Sequence, residues 1–282
     1  MEVAVVKLVL SFLVSVMFWV PCVAQSTLDK SKVEADRLWE QVVKARGGRE
    51  KLQSVSNMLV TTGDNAEDIR IQFYAFPRKY WEWNKDKKFH DFMFVTMTNL
   101  DYGVHLSASY EGTVASEKLT PVTGGGDYRD GWLIEACAFL LETKWARPSP
   151  VRIRTERIGK ERLDVIETVF DQFPPPYRNW GLDYYVDPES LEIKHVAWTT
   201  GGQRPFHVYH FGRGTVVDGI MVPCMFGVSM GSEKKDQWSN TAMRPMSFKF
   251  NVDYNPQLFE VPPSVAAGPD AWKKKAYATP RR

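Results

Sequence analysis

Gly227-Val228-Ser229-Met230-Gly231 has the Gly-x-Ser-x-Gly form of a nucleophile elbow. In an elbow a sharp strand-to-helix turn lifts a serine hydroxyl toward a base for acyl transfer, and the triad histidine comes later in the chain. No histidine follows Ser229, and Ser232-Glu233-Lys234-Lys235-Asp236 carries no apolar helical stripe. A chance match is expected. The five histidines raise the question of a metal. His207 and His210 are three apart, a helical spacing that in a strand puts them on opposite faces. His195 and His210 could meet on neighbouring strands, but no Asp or Glu pattern completes a ligand set. Asp183 and Asp187 share one strand face and read as solvated. No phosphate-cradling loop or dinucleotide fingerprint is present, since Gly124-Gly125-Gly126 precedes no suitable helix. The expectation is therefore no catalytic residue, no metal and no cofactor.

The elements that hold these residues are mostly strands. Trp180, Leu182, Tyr184 and Val186 alternate with Asp183, Tyr185 and Asp187, the period of two that a sheet imposes. Asp187-Pro188-Glu189-Ser190 turns the chain, with Pro188 presetting φ and Asp187 bonding the turn backbone. Leu191, Ile193, His195, Ala197 and Thr199 are expected on one face, with Glu192, Lys194, Val196, Trp198 and Thr200 on the other. Gly201-Gly202 turns again, into Phe206, Val208 and His210 set against His207, Tyr209 and Phe211. Asp218-Gly219 is a type I′ hairpin signal. One strand is expected over 220–230, with Pro223 at an edge or bend, and a last strand over 241–252. Nearer the N-terminus, Met58–Thr62, Ile69–Phe76, Tyr80–Trp83 and Phe89–Met97 read as strands, while the signal between Asn99 and Tyr128 is weak, with Gly103–Tyr110 its one strand candidate.

Two helices interrupt this pattern. Ser31-Lys32-Val33-Glu34 has the form of a capping box, followed by an apolar stripe of Ala35, Leu38, Trp39 and Val42 and a stop at Gly47-Gly48. One more turn is expected over 50–55. Asp130 is expected to cap a second helix over 131–143, with Leu133, Ala136, Cys137, Leu140 and Leu141 on one stripe. Two amphipathic helices and one long meander predict an α+β, mostly antiparallel fold, with helices packed on one face of a curled sheet.

At 282 residues, 44% apolar and 25% charged, the composition is that of a globular protein, and a net charge of +2 gives no footing for nucleic acid. Ten Trp, eleven Tyr and sixteen Phe suit both a half-buried sheet and an apolar ligand pocket. Residues 1–24 read as a secretion signal: Lys7, an apolar run from Leu8 to Val20, then Cys22-Val23-Ala24. An uncleaved anchor is the alternative. The remaining Cys137 and Cys224 could pair, but their apolar surroundings favour two buried thiols. Residues 25–263 are expected to form a single domain, with the Pro-rich Phe173–Tyr177 as a surface excursion and 264–282 as a basic tail.

Several segments together resemble the bacterial LolA/LolB-type lipoprotein-carrier fold. Ala45-Arg46-Gly47-Gly48-Arg49-Glu50-Lys51-Leu52 and the strand closing on Thr62-Gly63 resemble its opening. Phe76-Pro77-Arg78-Lys79-Tyr80-Trp81-Glu82-Trp83 is similar to its strand–Pro–basic–aromatic stretch. Gly181–Glu189 resembles its strand and Asp-Pro turn, Asp218–Pro223 its following hairpin, and Asn255–Pro262 its ending. The likeness spans most of 33–263, and its motifs are structural. It implies an incomplete antiparallel barrel with helices on the concave side, exported to the periplasm, whose cavity takes lipoprotein acyl chains. A clear lipid-attachment cysteine is lacking, which argues against an anchored LolB-like receptor.

On this reading the protein is a monomeric, non-enzymatic carrier or sensor for a lipid, an acyl chain or another apolar ligand. The cavity lining is expected to be Trp81, Trp83, Phe92, Phe94, Leu133, Leu140, Tyr184, Trp198 and Phe226, with Leu38 and Val42 on the plugging helix. Core packing is the competing explanation for each. Two other function classes stand beside it: a hydrolase or metal-dependent enzyme centred on His195, His207 or His210, and an envelope-assembly protein whose apolar face binds another protein.

Overall fold

The computed structural model describes residues 30–65, 68–77, 79–85, 92–98, 102–109, 114–121, 129–173, 179–200, 205–231 and 234–256. For 64, 65, 85, 92–98, 102–109, 114–121, 129, 130 and 239 it describes the backbone alone. The secretion signal, the glycine run at 124–126, Pro174–Pro176 and the basic tail lie outside the described residues, as do the side chains of Phe92, Phe94 and Asp130.

Helix α1 spans 30–45, followed by the single turn α2 (Arg49–Gln53). Six strands form a first meander: β1 (Asn57–Asn65), β2 (Asp68–Ala75), β3 (Lys79–Lys85), β4 (Phe92–Thr98), β5 (Tyr102–Ser109) and β6 (Val114–Pro121). Helix α3 (Arg129–Leu140) separates it from β7 (Ser149–Ile158), β8 (Glu161–Val169), β9 (Trp180–Val186), β10 (Ile193–Thr200), β11 (His207–Phe211), β12 (Gly214–Val217), β13 (Ile220–Pro223), β14 (Met225–Met230) and β15 (Arg244–Phe250). A 3-10 helix, Lys235–Asn240, precedes β15.

Thirteen strands make one sheet in the order β6-β5-β4-β3-β2-β1-β15-β14-β11-β10-β9-β8-β7. Its pairings are antiparallel. The last strand is the seam, pairing β1 on one side and β14 on the other. Because β6 and β7 stand at opposite ends of the order, the sheet is open and curls around its helices. β12 and β13 form a separate hairpin, closed at Asp218 (φ 51) and Gly219 (φ 77) as the type I′ signal requires.

The concave face holds the main core. From α1 it takes Ala35, Leu38, Trp39, Val42 and Val43; from the sheet it takes Val60, Tyr74, Tyr80, Leu182, Tyr184, Val196, Trp198, Tyr209, Phe226 and Phe248. Helix α3 differs from its expected single stripe. All nine residues from Leu133 to Leu141 are buried, Ile134, Ala138 and Phe139 included. A helix apolar on nearly every side belongs inside a core, and this one lies in the hollow of the sheet. The opposite, convex face carries a smaller cluster of Ile158, Leu163, Val165, Tyr185, Ala197, Val208 and Trp238.

Three local readings are corrected by tertiary contacts. The Ser31 hydroxyl bonds the backbone of Ile153 at 3.2 Å instead of capping α1, tying the helix to β7. A bulge between Ile193 and His195 shifts parity in β10, so Ile193 joins Val196 and Trp198 on the concave face and not His195. The strand expected over 220–230 breaks at Cys224, where β13 gives way to β14. The strand candidate at Gly103–Tyr110 is β5, and the weak stretch beyond it holds a further strand, β6, paired to it. Cys137 and Cys224 are both free, the first buried and the second half-buried with its thiol 2.8 Å from the Arg213 carbonyl.

Candidate functional site

Seven of the residues expected to line a cavity come together in the concave cluster: Leu38, Val42, Leu133, Leu140, Tyr184, Trp198 and Phe226. Period-two alternation in β9, β10 and β14 turns the last three inward, and α1 and α3 supply the rest. Tyr184 places its ring edge on Trp39 at 5.1 Å and donates its hydroxyl to the Cys137 carbonyl at 3.0 Å, so β9 holds both helices. Phe139 sits among Tyr209, Phe211, Phe226 and Phe248, with ring centroids 5.8–6.1 Å away.

Trp81 and Trp83 are placed differently. Tyr80 stacks on Trp132 of α3 at 3.7 Å and so faces the hollow. Alternation along β3 then turns Trp81 and Trp83 to the other face, where both are buried. Phe92 and Phe94 lie on β4, paired with Ser109 and Ser107.

Toward the Met230 end of β14 the concave face opens. Trp180, Trp198 and Phe206 form a cluster of edge-on rings 5.5–5.9 Å apart. Val228 and Met230 share the face of the buried Phe226, yet are 45% and 56% exposed. Here the inward apolar surface reaches water, as it does in part at Phe76, Trp132 and Trp145 elsewhere along the cluster.

Sequence reasoning missed a polar island inside the hollow. Glu135 of α3 is buried and accepts from the Tyr209 hydroxyl at 2.8 Å and the Gln72 amide at 3.3 Å. Arg70 bonds Glu82 through Nε at 2.7 Å and reaches to 3.8 Å of Glu135. Tyr80 donates to Glu82 at 2.5 Å. Burial pushes the Glu135 carboxyl above its ordinary value, with Arg70 opposing, and drives the Tyr80 and Tyr209 hydroxyls well up. The available signal was Gln72, Tyr74 and Tyr80 falling on the face that α3 covers.

The convex face carries the other chemistry. Register places His195 directly opposite His210, and their Nδ1 atoms are 3.0 Å apart. His210 Nε2 is 2.8 Å from Ser229 Oγ on β14. Trp238 of the 3-10 helix closes over both imidazoles at 5.6 and 5.8 Å. Burial lowers His210 to about 4, and burial with its neighbour's charge lowers His195 to about 3, so both rings are neutral at pH 7. Ser229 is the penultimate residue of β14, within the strand and not on a turn. Asp183 is not solvated as expected: it is buried and takes Arg154 Nη2 at 2.9 Å, facing a cavity of about 380 Å³ that Glu167, Tyr185, Thr199 and Lys235 also line. His207 is exposed on the opposite face from His210. Among the described residues no group of three or more His, Cys, Asp or Glu is placed to hold a metal.

No family model and no curated protein matches the sequence. Among solved structures, the chain is similar to a DUF1329 family protein from Desulfovibrio piger, at 9% identity over 80% of this chain and 97% of that one (TM-score 0.38). It is also similar to a domain from Vibrio parahaemolyticus described as an outer membrane lipoprotein-sorting protein, at 7% identity over 80% and 97% (TM-score 0.40). A LolA superfamily protein from Nitrosomonas europaea shows 13% identity over 78% and 96% (TM-score 0.35).

Proposed function

We propose that the protein is an exported, non-enzymatic carrier or sensor that takes a lipid, an acyl chain or another apolar ligand at the open end of its trough. The observation that carries this reading is the continuation of the buried concave face into exposed Val228 and Met230 beside Trp198 and Phe206. An apolar surface that leaves the core and meets water gains by being covered, at about 0.8 kcal/mol for each methylene buried. A chain burying about eight methylenes there gains about 6 kcal/mol, which corresponds to a dissociation constant in the tens of micromolar. Titration of the mature protein with a fluorescent fatty acid tests this. Saturable binding, displaced by unlabelled long-chain alcohols, is expected; no saturable binding sinks the reading.

A second reading, an acyl hydrolase at Ser229, is favoured by the 2.8 Å contact to His210. Against it stand a serine held within β14, the cover of Trp238 and an imidazole too weakly basic to activate a hydroxyl at neutral pH. A fluorophosphonate probe separates the two. Labelling lost in Ser229→Ala supports the hydrolase, and its absence from the wild type rejects it.

A further inference from the structure

The cavity on the convex face is lined by charges that cancel and by two polar oxygens that no side chain uses. Arg154 is held by Glu156, Glu167 and Asp183, Arg152 by Glu167, and Lys235 by Glu156. Three cations thus meet three carboxylates, and their net charge is zero. Asp183 spends Oδ2 on Arg154 at 2.9 Å, while among the described residues no donor reaches its Oδ1. The Thr199 hydroxyl has no hydrogen-bond partner among them either, and neither oxygen is sealed from water. Both residues are only 8% exposed, and both line the cavity of about 380 Å³.

Register brings the two oxygens to one spot. Thr199 stands opposite Gly181 in the pairing of β9 with β10, and Asp183 follows two residues on, so all three share the convex face. A Cβ on Gly181 would lie 3.1 Å from Thr199 Oγ1, so the missing side chain keeps that hydroxyl open. Val169 and Pro205 add apolar wall, and the exposed Asn179 also lines the space. Its volume is at the small end of the range for small-molecule sites, roughly 300–1,000 Å³. That is room for one ring. The sheet itself separates it from the trough, since Leu182, Tyr184 and Trp198 point the other way.

We infer that this cavity is a second binding site, for a single neutral sugar ring whose hydroxyls bond Asp183 Oδ1 and Thr199 Oγ1 while its C–H face lies on Val169 and Pro205. The inference stands apart from the carrier reading. Asp183 Oδ1 accepts only, Thr199 Oγ1 accepts and donates, and a ligand hydroxyl meets either because it also does both. Neighbouring hydroxyls on one ring supply two such groups at a fixed spacing, with little freedom left to lose on binding. A charged ligand would give up its water and find no unmatched charge in return. A zwitterion such as serine would have to open the Arg154 or Lys235 pairs to be held.

The test is saturation-transfer NMR with glucose, galactose and mannose at millimolar concentration, set against the matching amino sugars and uronates and against serine. At least one neutral hexose is expected to bind, about threefold or more tighter than its charged relatives. Thr199→Val, which keeps the branched shape, and Asp183→Asn should each weaken that binding about tenfold, with folding checked by thermal melt. Thr215→Val, at an exposed hydroxyl on β12, should leave it as in the wild type. No hexose binding, tighter binding of serine or of a charged sugar, or an affinity unmoved in whichever of Thr199→Val and Asp183→Asn folds, overturns the inference. The carrier reading is untouched by any of these outcomes.

Discussion

His195 and His210 face each other across β10 and β11 with their Nδ1 atoms 3.0 Å apart. At that distance one ring must donate and the other accept, so the two rings cannot both be charged, and burial disfavours a charge on either. If Ser229 donates to His210 Nε2, His210 donates to His195, and the buried His195 Nε2–H is left without an acceptor. The reverse order leaves a buried lone pair there instead.

Acid should therefore unfold the protein through this pair. In the unfolded chain both histidines protonate below about pH 6.5, while in the fold they hold out to about 4 and about 3. Between these limits the unfolded state binds more protons, so stability falls as pH drops, with a slope approaching about 1.4 kcal/mol per pH unit for each histidine. Glu135 acts in the opposite sense: its raised carboxyl contributes stability below its folded value and loses it as pH rises through that value. Comparing urea unfolding of the wild type with the double variant His195→Gln and His210→Gln between pH 7 and 4.5 isolates the histidines. The variant should show the shallower loss, and parallel curves would count against the burial of neutral imidazoles.

The join between α1 and the β12–β13 hairpin is a second point of leverage. Arg46 donates from Nη1 to the Met221 carbonyl at 2.6 Å, and the Met221 amide returns a bond to the Arg46 carbonyl at 3.0 Å. Gly47 (φ 121) passes so close that an added Cβ would stand 2.5 Å from the Gly219 carbonyl oxygen, whereas one on Gly48 (φ 86) meets nothing within 4 Å. Both positions penalise a side chain for their backbone angle, but only Gly47 adds a collision with backbone. Gly48→Ala is expected to cost about 1 kcal/mol and Gly47→Ala about 3, read from urea midpoints. Equal losses would mean that the hairpin yields.

Much of this architecture is written in local patterns, because alternation and turn chemistry act over a few residues. Leu182 and Tyr184 point inward and Asp183 and Tyr185 outward as their spacing requires, and Asp218-Gly219 makes its turn. What was not legible depends on partners distant in sequence. The bulge at Lys194 reverses the face of Ile193, and no residue type marks it. Trp81 and Trp83 look like cavity residues until Tyr80 is seen to stack on α3, which fixes the parity of β3. No histidine follows Ser229 in the chain, yet an antiparallel sheet brings His210 beside it from nineteen residues upstream. Glu135 drew no notice because one acid within an apolar helix has no local signature; its meaning comes from Gln72, Arg70 and Tyr209 on two other strands.

Phe139 tests whether α3 is a solid part of the core. Four aromatic rings surround it, and its side chain is fully buried. Truncation to alanine removes those contacts and leaves a void that the sheet can close only in part. A loss of about 3–5 kcal/mol is expected, seen as a lower melting temperature. A loss under about 1 kcal/mol, the range of exposed sites, would show that α3 is loosely held.

The open end of the trough can be probed without disturbing the core, because Val228 and Met230 are 45% and 56% exposed. Val228→Glu and Met230→Glu should each change stability by no more than about 0.5 kcal/mol. If a ligand chain crosses these residues, each substitution forces a carboxylate against an apolar chain or removes its contact, and binding of a fluorescent fatty acid should weaken about tenfold or more. Val33 and Val216 are equally open, at 68% and 59%, on α1 and β12. The same substitution there adds the same charge away from the trough and should leave affinity unchanged. Uniform weakening at all four sites would point to charge repulsion of the fatty acid, and no weakening at 228 and 230 would remove them from the binding surface.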